Sequence, residues 1–202
     1  MYPFLNTDSL FINDYRLAAM RQADCQLMRE WRNQQRARLH QPHVITLGEQ
    51  NLYYRNFIQP SFDHYRPPRI ALSLLLRGEC LACGLLEDVD WLHTRARCRM
   101  VFATERRESP ATYQTEAAIF LRLILRMAFE QAGLSRIGMA VPAGARVDQR
   151  VLRETGFVEE GRLRGYYREN DELEDALTFS CLNHDYRKNA RIQPAAERAV
   201  SG

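Results

Sequence analysis

Two carboxylates near the middle of the sequence are among the side chains best suited to move protons. Asp88 and Asp90 alternate with Val89 in a run typical of a β-strand, so both should face one side of that strand. Such a pair could accept a proton from an ammonium group through water, or bind a cationic or hydroxylated molecule. The simpler alternative is two solvated carboxylates at the end of a strand.

Two tyrosines form a second candidate. Tyr166 and Tyr167 follow Gly165 in a predicted β-hairpin, where neighbouring side chains point to opposite faces. One of the two hydroxyls could therefore reach a reacting group. The alternative is one ring in the core and one ring exposed to solvent.

A third candidate is an anion site where a long helix is expected to begin. Ser109 can cap this helix, and Pro110 suits its first position, where a missing N–H costs nothing. The free N–H groups of such a start, together with the positive end of the helix dipole, attract anions. Arg106 and Arg107 precede the helix, although an exposed, charged turn would explain these arginines as well.

The five cysteines favour a structural role. Cys80 and Cys83 have a spacing that occurs in metal sites, but the sequence offers no second pair. They fall in a predicted strand, where residues three apart face opposite sides. We therefore predict buried free thiols and no metal site.

The composition fits one soluble, cytoplasmic domain. The 202 residues are 46% apolar and carry a formal net charge of +3. No run approaches the roughly 20 apolar residues that span a bilayer, and the N-terminus lacks the pattern of a secretory signal. Lys188 is the only lysine among the 28 lysines and arginines, which codon bias explains as well as phosphate binding would. No basic stripe with interleaved aromatic residues is present, so nucleic acid is not an expected partner. The short apolar runs likewise give no reason to expect a membrane as a partner.

Hydrophobic periodicity and turn residues predict a single domain of strands and helices. A leader at 1–14 should pack on the domain, which covers 15–185, and a polar tail at 186–202 should be disordered. Asp24 and Thr46 are the predicted caps of the first two helices. The predicted strands are 15–20, 69–77, 80–91, 95–104, 137–141, 157–167 and 173–182, and the predicted helices are 25–33, 46–58, 110–131 and 145–155.

The run from Arg150 to Phe157, RVLRETGF, carries the most specific signal in the sequence. It is typical of a short helix ended by Gly156, which suits the left-handed position after the last turn, with Phe157 opening the next strand. With the VEEGR that follows, it resembles the second core motif of the GCN5-related N-acetyltransferase superfamily. The element order over 15–185 is similar as well. The resemblance implies an α+β (α/β/α) fold with about four helices and a mixed, mostly antiparallel sheet of about seven strands, whose middle strands splay apart.

The most similar branch contains ribosomal-protein, polyamine and nucleotide-sugar acetyltransferases. Its nucleotide-sugar members carry motifs like Trp31-Arg32-Asn33 and Asp90-Trp91. This resemblance implies an acetyl-CoA-dependent N-acetyltransferase that acts on a primary amine by direct transfer in a ternary complex, with Trp31 and Asn33 in the substrate site. A nucleotide-linked amino sugar is the first candidate acceptor, and a polyamine or a protein N-terminal amine is the alternative. Trp31 could instead anchor the core. A homodimer is expected, as in similar proteins.

The same resemblance places acetyl-CoA, the co-substrate, in the gap between the splayed strands. The pantetheine arm would follow the strand edge at 100–103, and the pyrophosphate would meet the start of the long helix. Asp88 and Asp90 are then candidates for the base, and Tyr167 is the candidate for protonating the thiolate. The implied coenzyme-binding residues are Phe102, Ala103, Arg106, Arg107, Thr112, Tyr113, Gln114 and Thr115.

Several positions depart from the family pattern. Thr112 and Gln114 stand where the phosphate loop usually has glycines, and their hydroxyl and amide groups could bind phosphate instead. Ala145, Leu152 and Arg97 stand where many members have an asparagine, a catalytic tyrosine and a glutamate base. The alternative function is therefore a non-catalytic acyl-CoA-binding or partner-binding module on the same scaffold.

Overall fold

One mixed sheet of eight strands organises the chain. The computed structural model describes residues 2–5, 9–169 and 172–192. The strands are β1 Ser9–Ile12, β2 Tyr15–Ala19, β3 Ile70–Leu76, β4 Glu79–Asp90, β5 Arg95–Phe102, β6 Arg136–Pro142, β7 Val158–Glu169 and β8 Glu172–Leu182. Their order in the sheet is β1-β2-β3-β4-β5-β6-β8-β7. Neighbours pair antiparallel except β5 and β6, which are parallel.

The described residues also form six α-helices, two of which continue into π-helical segments. The helices are α1 Gln22–Gln34, α2 Leu47–Tyr53, α3 Thr104–Glu108, α4 Pro110–Arg126, α5 Arg146–Glu154 and α6 Asn183–Ile192. Residues Tyr54–Ile58 and then the 3₁₀ turn Gln59–Asp63 follow α2, and Met127–Gln131 follows α4. None of these described helices is long and apolar enough to cross a membrane.

Helices cover both faces of the sheet. Side chains alternate along β4, so Ala82 and Leu86 join the larger core beneath α4 and α5. Cys83 and Leu85 join the smaller core beneath α1. This is the α/β/α arrangement that the resemblance implies, with eight strands and six helices among the described residues in place of about seven and about four. The additional elements are short or lie near the termini.

Helix α4 packs closely over β4. A Cβ atom at Gly84 would lie 2.8 Å from Cζ of Phe120, so the glycine permits this approach. Phe120, Leu121 and Ile124 are fully buried. Burying each such side chain stabilises the fold by about 1.5–3 kcal/mol. The predicted start of this helix is confirmed, because Ser109 is its N-cap residue and Pro110 its first residue.

Helix α1 begins earlier than predicted. Asp24 lies inside the first turn instead of capping it, and its carboxylate accepts hydrogen bonds from the Arg21 backbone N–H (3.0 Å) and guanidinium (2.7 Å) and from the Ser73 hydroxyl (2.9 Å). Thr46 does cap α2, since its hydroxyl accepts from the Glu49 N–H at 3.2 Å.

Both ends of the chain contain more regular structure than predicted. Part of the leader forms β1, which pairs with β2 at the edge of the sheet, and Tyr2 and Phe4 are buried. The predicted disordered tail starts inside α6, where the Tyr186 ring packs 5.4 Å from Phe129 and its hydroxyl donates to Glu130 at 2.5 Å. An aromatic contact with the end of the long helix thus favours order there. Residues 1, 6–8 and 193–202 of these two segments lie outside the described residues.

A β-bulge changes the prediction for two cysteines. Leu74 pairs with Ala82 and Leu75 with Cys80, so Leu81 is an extra residue in β4. The bulge offsets the alternation, and the Sγ atoms of Cys80 and Cys83 lie 4.0 Å apart. The expectation that they face opposite sides is therefore wrong. All five cysteines are free, and burial raises the pKa of the Cys83 thiol well above its usual value.

Candidate active site

The central feature of the sheet is a wedge between β5 and β6. These strands pair at only three positions, from Arg95 with Arg136 to Arg97 with Gly138. Beyond Gly138, β6 remains paired with β8 as far as Pro142. On its other side, β5 remains paired with β4 as far as Phe102. The two strands are therefore held from outside while they separate from each other, which is the splay that the resemblance implies.

Backbone groups of β5 line this wedge. The Ala103 N–H donates to the Leu81 carbonyl at 2.9 Å, so the odd-numbered residues of this part of β5 bond to β4. Because antiparallel pairs alternate between bonded and non-bonded positions, the N–H and C=O groups of Met100 and Phe102 point into the wedge. The Phe102 carbonyl accepts a hydrogen bond from Nε2 of Gln35 at 2.8 Å. Met100 is therefore the residue best placed to exchange both backbone hydrogen bonds with a bound amide.

A cavity of about 520 Å³ lies beside the start of α4, close to the open end of the wedge. The end of α1 forms one side of it, and α3, the start of α4 and Val147 of α5 form the other. Arg38 and Arg107 are the arginines among its lining residues, and Glu108 is the carboxylate. Desolvation lowers the pKa of Arg38, and repulsion from Arg107 lowers it further. An anion in the cavity would relieve this repulsion.

A buried charge network ties α4 to α5 beside the cavity. Arg107 and Asp148 form an ion pair at 2.6 Å, with side chains only 16% and 13% exposed. The Tyr113 hydroxyl donates to the same carboxylate, and the Arg107 guanidinium lies 3.8 Å from the centre of the Tyr113 ring. Desolvation, followed by the charge of Asp148, raises the pKa of Tyr113. The network holds the two helix starts in a fixed relation.

Most of the predicted phosphate-binding side chains bond to the protein itself. Arg106 contacts the buried carboxylate of Glu116 at 3.2 Å. Gln114 donates to Glu154 at 2.9 Å. The remaining contacts join Thr112 with Ser109 (2.9 Å) and Thr115 with the Ala111 carbonyl (3.1 Å). The backbone N–H groups of the α4 start are thus better placed for an anion than these side chains.

The side chains of Phe102, Ala103 and Tyr113 are not available to bind the coenzyme. All three are at most 5% exposed, and the rings of Phe102 and Tyr113 pack edge to face at 5.1 Å. Their side chains belong to the core. Only the backbone of Phe102 borders the wedge.

Asp88 and Asp90 lie at the closed end of the wedge. Their positions in β4 are level with Arg95 and Arg97, where β5 and β6 still pair. Asp88 contacts Arg97 and has a left-handed φ of 51° within a bulge, so the alternation behind the predicted pair does not hold. The structure does not bring these carboxylates together with Tyr167.

Hydrogen bonds from the following turn fix Asp90. The His93 N–H donates to it at 2.9 Å and lowers the pKa of Asp90 to about 2, together with the His93 ring and Arg95. A carboxylate with such a low pKa is a poor proton acceptor near neutral pH.

Trp31 and Asn33 have structural contacts. Trp31 is 7% exposed and belongs to the smaller core, which agrees with the alternative prediction that it anchors the core. Asn33 accepts from the Ile45 N–H and donates to the Ile45 carbonyl, both at 2.8 Å. It thereby fixes the connection between α1 and α2, and these two bonds occupy its amide group.

The residues after α1 form a feature that the sequence reasoning missed. We call residues 35–41 the rim segment. Its first residue, Gln35, bonds to β5 at Phe102, and the ring of His40 stacks on Tyr167 of β7 at 4.3 Å. Nε2 of His40 lies 3.5 Å from Glu174 of β8. Because β8 adjoins β6, the segment bridges the two sides of the open wedge.

Arginines predominate on the α1 and α2 face beside the wedge. Nε of Arg99 lies 3.1 Å from Glu87, and Arg69 lies 4.8 Å from the centre of the Phe57 ring. Desolvation lowers the pKa of Arg32, and the nearby charge of Arg99 contributes in the same direction. Glu87 is the carboxylate that counters this effect on Arg32, alongside the Tyr53 and Cys25 side chains. This face would attract negative charge.

Comparison with solved structures identifies the fold. No protein-family model matches the sequence, and no curated protein does. A spermidine N-acetyltransferase from Vibrio cholerae, solved with CoA and spermine, matches with a TM-score of 0.76 and 17% identity over 87% of this chain and 99% of that one. A dodecameric structure of spermidine N-acetyltransferase from Vibrio cholerae has a TM-score of 0.73 and 16% identity, over 89% and 99% of the two chains. The chain therefore has the fold of the GCN5-related N-acetyltransferases, the superfamily that its sequence resembles.

Proposed function

We propose that this protein is an acetyl-CoA-dependent N-acetyltransferase that acts on a primary amine by direct transfer in a ternary complex. The observation that carries the proposal is the wedge, which leaves the inward backbone groups of Met100 unpaired by β6. A narrow arm that contains amide groups can take the place of the missing strand neighbour. The solved structures with this fold described above are spermidine N-acetyltransferases, one of them with CoA bound.

The residues around the wedge fit the parts of the coenzyme. Met100 would exchange hydrogen bonds with the pantetheine amides. The start of α4, with Arg38 and Arg107 in the adjoining cavity, would attract the pyrophosphate. Tyr167 would protonate the departing thiolate. A tyrosine hydroxyl, with its usual pKa of about 10, carries a proton at neutral pH, and desolvation raises the pKa of this one further.

Two acceptor classes deserve testing, because different observations favour them. The structural neighbour binds spermine, which favours a polyamine. The guanidinium groups of Arg32, Arg69 and Arg99 instead favour an amine that also carries negative charge, such as a nucleotide-linked amino sugar. Like charges near a polycation would weaken its binding. We propose the anionic acceptor as the first candidate, with a protein N-terminal amine as the remaining alternative.

Thermal unfolding tests whether the coenzyme binds. At a concentration 100 times Kd, acetyl-CoA should stabilise the protein by about 2.7 kcal/mol. For a chain of this length, that corresponds to a rise in Tm of about 5–11 °C. No shift with acetyl-CoA, CoA or longer acyl-CoAs would rule out the proposal.

A panel of amines then tests turnover and the acceptor. Release of free CoA thiol should be detected with a nucleotide-linked amino sugar and be weaker or absent with spermidine. Faster turnover of spermidine would reverse the order of the two acceptors. A thermal shift without turnover on any amine would favour the non-catalytic acyl-CoA-binding module. Light scattering tests the expected homodimer.

A further inference from the structure

A strained histidine stands at the open end of the wedge. His40 has a left-handed φ of 48°, which His tolerates better than most residues but which still requires support from its surroundings. Its N–H donates to the Ala37 carbonyl at 3.0 Å, and its side chain is only 10% exposed. The rim segment therefore holds an ionisable ring in a fixed, largely buried position.

The two ring nitrogens of His40 have different surroundings. Nε2 lies 3.5 Å from Oε2 of Glu174. Nδ1 is buried and has no hydrogen-bond partner among the described residues. A buried nitrogen of this kind calls for a partner, and a neutral imidazole with a carboxylate on one side can accept a proton on the other.

The carboxylate behind the ring is itself held in place. Oε1 of Glu174 accepts from the backbone N–H of Gly144 at 3.1 Å, two residues after β6 ends. The neighbouring backbone N–H of Ala143 donates to the Asp175 carbonyl at 2.8 Å. Glu174 is thus fixed to the end of β6, at the side of the wedge that opens.

Tyr167 supports the face of the ring. The two rings are nearly parallel, with an interplanar angle of 12°. Glu174 from β8 and Tyr167 from β7 are the ionisable groups in contact with His40, and Arg99 from β5 acts on Tyr167. The proposed thiolate acid and the histidine therefore lie side by side.

We propose that His40 is the general base of the acetyl transfer, with Glu174 as its positioning residue. This inference rests on the proposed function. The acceptor nitrogen forms a bond to the thioester carbonyl carbon, and Nδ1 of His40 takes the proton that the nitrogen loses. The C–S bond breaks, the sulfur leaves with the electron pair, and Tyr167 protonates it. Glu174 stabilises the imidazolium until the proton passes to water, and water reprotonates Tyr167.

The positions of Asp88 and Asp90 favour His40 over these two carboxylates as the base. They lie at the closed end of the wedge, in contact with Arg95 and Arg97 of β5 and with His93 of the preceding turn. His40 lies at the open end, next to the proposed acid.

The test uses two variants of the full chain. Both His40→Gly and His40→Asn remove the imidazole ring. Glycine and asparagine also adopt the left-handed backbone conformation readily, so neither change should strain the rim segment. Each should lower kcat by about 100-fold or more at neutral pH, the usual range for loss of a general base. The loss should shrink as the pH rises, because hydroxide can then take the proton that the attacking nitrogen loses. Calorimetric binding of acetyl-CoA should remain within about twofold of the natural protein.

Chemical rescue separates a base from a structural role. Added imidazole should restore His40→Gly activity by about 10-fold or more, since it can occupy the space of the lost ring and supply the same nitrogen. Glu174→Gln should lower kcat without changing the KM for the amine. Natural kcat and an unchanged pH profile in either His40 variant would overturn the proposal, as would failure of rescue in a folded His40→Gly protein. If the natural protein binds no acetyl-CoA, the proposed function itself fails.

Discussion

Replacing Asp148 by alanine is expected to lower the free energy of unfolding by about 3 kcal/mol. The change leaves the Arg107 guanidinium and the Tyr113 hydroxyl without their shared acceptor in a place where little water reaches. An unpaired buried charge costs far more than the net value of the pair it came from. Urea unfolding followed by circular dichroism measures the loss.

Two control variants sharpen this prediction. Glu159→Ala breaks a similar 2.6 Å pair with Arg153, but those side chains are 40% and 52% exposed. It should cost less than about 1 kcal/mol, because exposed pairs contribute little. Asp148→Asn keeps an acceptor for Tyr113 and should fall between the two. Equal effects of Asp148→Ala and Glu159→Ala would contradict the account of a buried network that joins α4 to α5.

Replacing Arg38 by alanine should weaken acetyl-CoA binding by about 10- to 100-fold. Arg38 is an exposed residue that lines the cavity beside the start of α4, and desolvation, followed by repulsion from Arg107, lowers the pKa of its guanidinium. A hydrogen bond to a charged group contributes about 1.5–3 kcal/mol, which corresponds to this range. Isothermal titration calorimetry measures the change in Kd.

A control ligand and a control variant test whether Arg38 binds the pyrophosphate. S-acetylpantetheine lacks the pyrophosphate, so Arg38→Ala should leave its binding nearly unchanged. Arg77→Ala removes an arginine that is 81% exposed and pairs with Asp14, away from the cavity. It should bind acetyl-CoA like the natural protein. An equal loss for both ligands would show that Arg38 acts on the fold and not on phosphate.

Local signals in the sequence predict the framework of the wedge well. Ser109 and Pro110 give the start of α4, because capping and the missing proline N–H are local effects. Gly156 has the left-handed φ of 91° that its place after α5 predicts. The apolar run that begins at Cys80 likewise locates β4 within one residue at each end.

The errors in the site have long-range or bulge-dependent causes. Asp88 fails as half of a carboxylate pair because bulges interrupt the twofold period, which sequence alternation does not reveal. Arg107 pairs with Asp148, 41 positions away, and Gln35 bonds to Phe102, 67 positions away. Neither partner is readable from spacing along the chain. His40 becomes prominent only after the sheet brings Tyr167 and Glu174 to the end of the rim segment.

Amide hydrogen exchange, followed residue by residue with NMR, tests the wedge most directly. The Met100 N–H points into the wedge, whereas the Val101 N–H bonds to β4, as the Ala103 pairing with Leu81 requires. On addition of saturating CoA, exchange at Met100 should slow by at least about 10-fold more than exchange at Val101. Equal protection of the two amides, or no protection at Met100 while CoA is bound, would contradict binding of the pantetheine arm between β5 and β6.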